Sequence, residues 1–439
     1  MNVGFVASAI RYRDGDQEER MTLSTPSLYL EKEADSIVAL KLPERSSIAS
    51  PNVRQADIDV LVHAPKDFID TTHFDTVRFP PPDWAVERFQ HAANDGSLAY
   101  TGYRGNEQVL VDVARNISNL LGVEIDPRKN LVLTPGTQAA LFAALSSRVN
   151  RGDRVVIMDP DYLFTARMLR FLGAEIAYVP LRLDAAGRYA PDLDALEAEF
   201  ARYNARHFVF SHPNNPTGTV YPRETIVSIS ALARQYGVSI VVDELYCRLV
   251  YGDTEFAHLA AEDGMMAQTA TLLGPSKTES LSGYRLGVLV GNEDLIRSVE
   301  NVLSITSLRA PAYAQHVLRG WLVDDADWLA GRIAEFKALQ KMTADALSSL
   351  NWLRLHQQQG TAYLWPDVSA LGLPDAEVAT ALLERAGVLI SPGYQFGPNA
   401  SGNFRVCYAR EEKGWSAALQ RMVGVLGDLA AAKGGSLKG

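Results

Sequence analysis

Between Leu131 and Val290 the chain alternates short apolar runs with stretches whose apolar positions recur at helical spacing. Leu131–Thr134, Arg154–Met158, Glu175–Leu181, Phe208–Phe210, Val238–Val242, Thr269–Leu273 and Tyr284–Val290 read as strands. Ala139–Val149, Asp192–Tyr203 and Glu224–Tyr236 read as helices between them. Such alternation predicts an α/β domain with a mostly parallel, seven-stranded sheet and helices on both faces. Two further helical stretches, Ala85–Ala93 and Asn106–Leu121, come before it. Beyond about residue 310 the pattern changes. A long helix (Trp328–Leu350), short strands at Leu353–Leu355 and Ala362–Trp365, a helix (Ala376–Ala386), a strand (Val388–Ser391) and a closing helix (Trp415–Ala432) suggest a smaller α+β unit.

This divides the chain into an N-terminal arm (1–57), a large domain (96–309) and a small domain drawn from 58–95 and 310–439. In the arm, charges, Ser and Pro interrupt every apolar run, and only Ser36–Leu42 predicts a short strand. A mobile arm, or one draped over a partner subunit, fits that pattern. The run Pro80-Pro81-Pro82 excludes helix and central strand.

Composition narrows the function classes. The 439 residues are 47% hydrophobic and 21% charged, ordinary for a globular enzyme. With 42 basic against 52 acidic residues the formal charge is −10, and no basic run or helix-turn-helix pattern supports nucleic-acid binding. Two cysteines, Cys247 and Cys407, argue against a disulfide framework. No apolar stretch reaches the roughly 18 residues of a membrane span, and the first residues lack the apolar core of a signal peptide. A cytoplasmic protein without membrane contacts is expected.

Candidate chemistry concentrates in Gly274–Gly287 (GPSKTESLSGYRLG). Lys277 offers an amine that can capture an aldehyde as a Schiff base, and Arg285 a guanidinium that can grip phosphate. Pyridoxal 5′-phosphate carries both groups. Asp243, at the end of the strand Val238–Val242, is costly there unless it meets a positive partner, such as a protonated pyridine nitrogen. Gly136-Thr137-Gln138 forms a strand-to-helix turn whose free N–H groups suit an anion. The string Ser211-His212-Pro213-Asn214-Asn215-Pro216-Thr217-Gly218 is the most specific, its two prolines fixing the backbone around Asn215.

In these segments, from about residue 57 to 432, the sequence resembles the class I/II aminotransferases of fold-type I. The resemblance implies a Schiff-base lysine at Lys277 and a phosphate cup of Gly136, Thr137, Gln138 and Arg285. It further implies Tyr162 stacked on the pyridine ring, Asp243 on its nitrogen, and Asn215 and Tyr246 on its phenolic oxygen. Tyr100, within Ala99–Gly105 (AYTGYRG), matches the tyrosine that reaches the phosphate of a neighbouring subunit, which implies a homodimer. Arg405, on the strand Phe404–Cys407, matches the fork that grips the substrate carboxylate, beside a Pro392–Gly397 (PGYQFG) segment. Two departures stand out. His73-Phe74 replaces a glycine beside the substrate carboxylate, which puts Phe74 on the substrate floor. Gly274 replaces a serine of the phosphate cup, so that Ser276 is the candidate substitute. The implied reaction moves an amino group between an α-amino acid and a 2-oxo acid, with lyase or synthase chemistry of the aminocyclopropane-carboxylate-synthase kind as the alternative. Arg78, Arg104 and Arg309 are candidates to meet a second substrate carboxylate.

Overall fold

The computed structural model describes residues 34–40, 65, 67–74, 79–95 and 100–432. A two-residue strand β1 (Ile69–Asp70) precedes the main sheet, which holds β2 (Leu131–Thr134), β3 (Arg154–Asp159), β4 (Glu175–Leu183), β5 (Tyr189–Pro191), β6 (His207–Ser211), β7 (Ser239–Asp243), β8 (Thr269–Leu273) and β9 (Gly287–Val290). Their order is β2-β9-β8-β7-β6-β3-β4-β5, with β8, β7, β6, β3 and β4 parallel to one another. β9 runs antiparallel to both β2 and β8.

The seven expected strands are joined by an eighth, β5, which hairpins back on β4. Asp184 caps that turn by accepting from the N–H groups of Ala186 (2.8 Å) and Arg188 (2.9 Å). Pro191, which has no N–H to donate, ends β5 at the sheet edge, where a proline is tolerated.

The central strands read as continuous apolar runs because both faces are covered. Val156, Met158, Phe208, Phe210 and Val242 pack against the helices Leu193–Ala201 and Arg223–Tyr236. Their neighbours Val155, Ile157, Val209, Val241 and Leu272 point the other way, toward Thr137–Ser146 and Glu293–Ile305. Each such side chain contributes about 1.5–3 kcal/mol through burial. A third core joins Leu131, Leu133, Val288 and Val290 to the helix Glu107–Leu121, to Ala85 and to Trp321.

A fourth core is built mainly from residues beyond 310, together with Phe74, Tyr246, Leu249 and Tyr251. There β10 (Tyr363–Leu364), β12 (Ser391–Pro392) and β13 (Phe404–Cys407) form an antiparallel sheet of order β10-β13-β12, while β11 (Val388–Leu389) pairs with β1. The helices Ala326–Ser348 and Glu412–Ala432 cover this core with Phe336, Leu347, Trp415 and Leu419.

Three sequence expectations change, the first being the strand at Leu353–Leu355, of which only an isolated bridge between Arg354 and Asp367 forms. Ser36–Leu42 is helical at Asp35–Val38 instead of extended, and Lys41 and Leu42 lie outside the described residues. A run this short satisfies either period, and here its apolar face meets the helix Leu163–Leu172 through Ile37, Phe164 and Phe171 rather than a sheet edge. The strand expected from Tyr284 begins only at Gly287, because Arg285 adopts a left-handed backbone (φ 54°) after the turn Ser282–Tyr284.

Candidate active site

Three consecutive strands of the main sheet end at one cavity. Asp243 is the last residue of β7, Asn215 follows β6 and Lys277 follows β8, which is where ligands bind in open α/β sheets. Thr137, Gln138, Tyr162, Asn215, Asp243, Tyr246, Lys277, Tyr363 and Arg405 all line this cavity. Eight of those nine come from the sequence expectations; Tyr363 does not.

Lys277 donates from Nζ to the carbonyl of Phe74 (2.8 Å), and its ammonium lies 5.7 Å from the centre of the Phe74 ring. The bulk at His73-Phe74 therefore forms a wall beside the lysine. Phe74 is backed by Tyr246, stacked at 6.4 Å, and by Phe336, edge-on at 5.3 Å.

Burial drives the Asp243 carboxyl up to about 6, against the N–H of Leu245, which favours the anion; the neighbouring Glu244 charge adds to the rise and Lys277 opposes it. A cation at the Asp243 end of the cavity would relieve this cost. Glu244 turns away from the cavity. It is fully buried and bonds His258 Nδ1 at 2.6 Å, a pairing that nothing in the sequence signalled.

Asn215 is held by an unexpected residue. Asp161 accepts from the Ser211 N–H (3.1 Å), the Ser211 hydroxyl (2.9 Å) and the Asn214 amide (3.2 Å), clamping the turn after β6 to the end of β3. Ser211 Oγ in turn accepts from the Asn215 N–H at 3.0 Å. Burial pushes the Asp161 carboxyl up to about 7 even though these donors favour its charged form.

Arg405 is 1% exposed. Its Nη1 donates to Asn215 Oδ1 at 2.8 Å, and Nη2 donates to the Thr72 carbonyl and to Ser391 Oγ (3.4 Å). The guanidinium also lies 4.2 Å from the Tyr363 ring centre and 4.8 Å from that of Phe396. Because the Asn215 oxygen accepts from Arg405, its NH₂ is the part left to donate into the cavity.

Of the expected phosphate cup, Thr137 and Gln138 line the cavity, while Gly136 and Arg285 adjoin each other beside it. Gly136 has φ 94°, and a Cβ there would lie 2.4 Å from Arg285 Nη2, so this glycine admits the guanidinium. Arg285 donates to the carbonyls of Ser282 (3.1 Å) and Pro135 (3.4 Å). Gln138 Oε1 accepts from Tyr162 Oη at 3.2 Å, which fixes the ring at the cavity wall. A Cβ on Gly274 would lie 2.9 Å from Thr137 Oγ1, so glycine leaves room there for the threonine hydroxyl. Ser276, the candidate substitute, directs its hydroxyl to the Leu286 carbonyl (3.4 Å) and does not line the cavity.

Tyr100 also stands apart from the cavity, 73% exposed and 5.1 Å from the Arg309 guanidinium. Arg309 lies over Tyr103 as well (4.7 Å) and donates to the Thr101 carbonyl (2.6 Å). Arg104 is taken up by Glu300 at 2.7 Å, and Arg78 lies outside the described residues.

This arrangement suits a ligand that presents an aldehyde to an amine, a cationic ring atom to Asp243 and an anionic group to the Gly136–Arg285 cup. A family model described as aminotransferase class I and II matches residues 71–422. The LL-diaminopimelate aminotransferase of Syntrophobacter fumaroxidans is 28% identical over 350 residues, covering 78% of this chain and 87% of the relative. The aspartate aminotransferase of Musicola paradisiaca is 27% identical over 332 residues, covering 75% and 82%. Among solved structures, an aspartate aminotransferase from Rhodobacter sphaeroides superposes with a TM-score of 0.80 at 37% identity, over 83% of this chain and 95% of that one. A match across most of the chain, including every strand that carries a cavity residue, places the protein among the class I and II aminotransferases.

Proposed function

We propose that this aminotransferase uses pyridoxal 5′-phosphate to move an amino group between an α-amino acid and a 2-oxo acid, and works as a cytoplasmic homodimer. The observation that carries the reading is the convergence of Lys277, Asp243 and Arg405 on one cavity. The donor set fits the cofactor. Gly136 and Arg285 make a cup that any side chain on Gly136 would fill, and Asp243 is a buried acid that a pyridinium would pair. Bound there, the cofactor supplies an aldehyde that captures amines and a ring that draws electrons away from the substrate Cα–H bond.

The protein's own groups then divide the work. Arg405 releases the Thr72 carbonyl to grip the substrate α-carboxylate, and Asn215 keeps the guanidinium in plane. Lys277 carries the Cα proton on Nζ, being the amine that lines the cavity. Asp243, as an anion, would pair with the cofactor's ring nitrogen, and Asn215 and Tyr246 would donate to its phenolic oxygen. Leu141, Tyr162 and Leu245 give the site apolar walls that limit water.

The exposure of Tyr100 beside Arg309 supports a role across a subunit interface, where its hydroxyl can meet a partner's cofactor phosphate. Arg309, beside Tyr100, is the candidate for a substrate's distal carboxylate. No helix among the described residues is long and apolar enough to cross a membrane.

The test gives the purified pyridoxal-phosphate form a panel of amino acids without any oxo acid. Stoichiometric conversion to pyridoxamine phosphate, reversed by added 2-oxo acid, is expected and should vanish in Lys277→Ala. Multiple turnovers that release a side-chain fragment, with no pyridoxamine form, would instead establish the lyase alternative.

A further inference from the structure

Tyr363 was not among the expected site residues, and it meets three groups at once. Its hydroxyl lies 3.0 Å from Tyr246 Oη and accepts from the backbone N–H of Phe74 at 3.2 Å, while its ring packs under Arg405. Tyr363, Tyr246 and Phe74 are 3%, 5% and 3% exposed, so water does not readily replace a missing partner. Burial raises both phenols above their ordinary range, so each stays a neutral hydroxyl at physiological pH.

Counting protons leaves two arrangements of these bonds. A backbone N–H can only donate, so Tyr363 accepts from Phe74. Tyr363 carries one proton of its own, and among the described residues the acceptor facing it is Tyr246 Oη. Were Tyr246 the donor instead, the proton that reaches the cavity would be that of Tyr363, which lines it too. The role proposed for Tyr246, as donor to the cofactor's phenolic oxygen, selects the first arrangement: Tyr246 accepts from Tyr363, and its single proton is left to point elsewhere. Tyr246 lines the cavity, and the cavity is where that proton can find an acceptor.

We infer that Tyr363 is a positioning residue: the one-way chain from Phe74 N–H through the Tyr363 and Tyr246 hydroxyls commits the Tyr246 proton to the cavity. This rests on the reading of the cavity as a pyridoxal-phosphate site, and it deepens that reading. A donor aimed permanently at the cofactor's phenolic oxygen stabilises negative charge there. The holoenzyme then loses its imine proton at a lower pH than it would with a hydroxyl free to turn. The same chain ties Lys277 to the relay, because Phe74 donates to Tyr363 through its N–H and accepts from Lys277 through its carbonyl.

The experiment compares wild type, Tyr363→Phe, Tyr246→Phe and the double variant, each loaded with pyridoxal phosphate and titrated through its near-visible absorption band. Tyr363→Phe keeps the ring under Arg405 and removes only the hydroxyl. The groups around the relay (Asp243, Lys277, Arg405, Tyr162 and Cys407) are the same in all four proteins. The relay predicts that the midpoint of Tyr363→Phe rises by about half to one pH unit, the worth of one hydrogen bond. It also predicts no additional rise from Tyr363→Phe in the Tyr246→Phe background.

A Tyr363→Phe midpoint equal to wild type overturns the inference, even with a lowered melting temperature, since a residue that only braces the Phe74 segment would change stability alone. An equal rise in both backgrounds overturns it too, because the effect would then bypass Tyr246. Should Tyr363→Phe fail to fold, 3-fluorotyrosine at position 363 keeps the ring and makes the hydroxyl a stronger donor: the midpoint should then fall, and an unchanged midpoint overturns the inference. A wild-type protein that develops no such band with pyridoxal phosphate would refute the cofactor reading itself, a result distinct from both.

Discussion

Asp243 gives the sharpest test, because its chemical role and its effect on stability have opposite signs. Its carboxyl is raised from 3.8 to about 6 by burial. The folded cofactor-free chain therefore holds this proton more tightly than the unfolded chain does. Between those two values the native state binds more protons, so stability falls as pH rises through the window. The penalty is absent below about pH 4 and complete above about pH 6. A rise of that size in one carboxyl is worth about 3 kcal/mol. Asp243→Asn removes the ionisation while keeping the shape, so the cofactor-free variant should be up to about 3 kcal/mol more stable than wild type at pH 7.5. Near pH 4 the two should be nearly equal.

Urea unfolding of both apoproteins at pH 4.5 and 7.5 measures the difference directly. Asp161 also bears a raised carboxyl, and Asp243 contributes to that rise, so relief of Asp161 adds to the effect in the same direction. Pyridoxal phosphate should reverse the ranking, since a pyridinium pairs with aspartate and not with asparagine. Transamination by the variant should fall by orders of magnitude. A stability gap of the same size at both pH values would refute the claim that ionisation of Asp243 is the source of the strain.

Other outcomes follow from individual contacts. Arg405→Lys should lower kcat/KM about 10²-fold, because one ammonium cannot hold Asn215 and a carboxylate in one plane; steady-state kinetics decide this. Gly136→Ala should weaken cofactor retention at least about tenfold, since its Cβ displaces Arg285 and its φ is strained, and dialysis followed by absorbance would reveal it. Mixing Tyr100→Phe with Lys277→Ala subunits should restore part of the lost activity if Tyr100 serves a neighbour's site. Mixed dimers no better than either parent would argue for independent sites.

What the sequence made legible was local. The buried strands announced themselves as continuous apolar runs, and Asn215, Asp243 and Lys277 each follow one of those runs directly. The prolines around Asn215 and the glycine at Gly136 report backbone needs that neighbouring residues reveal. Tyr363 escaped notice because its role depends on a contact 117 residues away, and alternation along a two-residue strand does not say which hydroxyl it will face. Asp161 was hidden for the same reason: its partners lie about 50 residues further on, across the β3–β6 pairing. The helix at Asp35–Val38 was missed for want of length, since four residues cannot distinguish a period of two from one of 3.6. The departure at His73-Phe74 was visible in the sequence, but its consequence was not, because Phe74 acts on Lys277 through a carbonyl common to every residue type.

That use of the main chain matters for anyone who wishes to redesign the enzyme. Thr72 and Phe74 hold Arg405 and Lys277 through backbone carbonyls, and their segment is fastened by Thr71, whose N–H reaches Leu389 O at 2.9 Å and whose carbonyl accepts from Cys407 N at 3.2 Å. Substitutions at 72–74 leave those carbonyls in place as long as the backbone path is kept. A combinatorial library here can therefore reshape the wall beside the substrate while both cations stay tethered. Proline is the replacement to exclude at Phe74, where it would remove the N–H that Tyr363 accepts. The segment thus separates what a selection experiment may vary from what it must preserve.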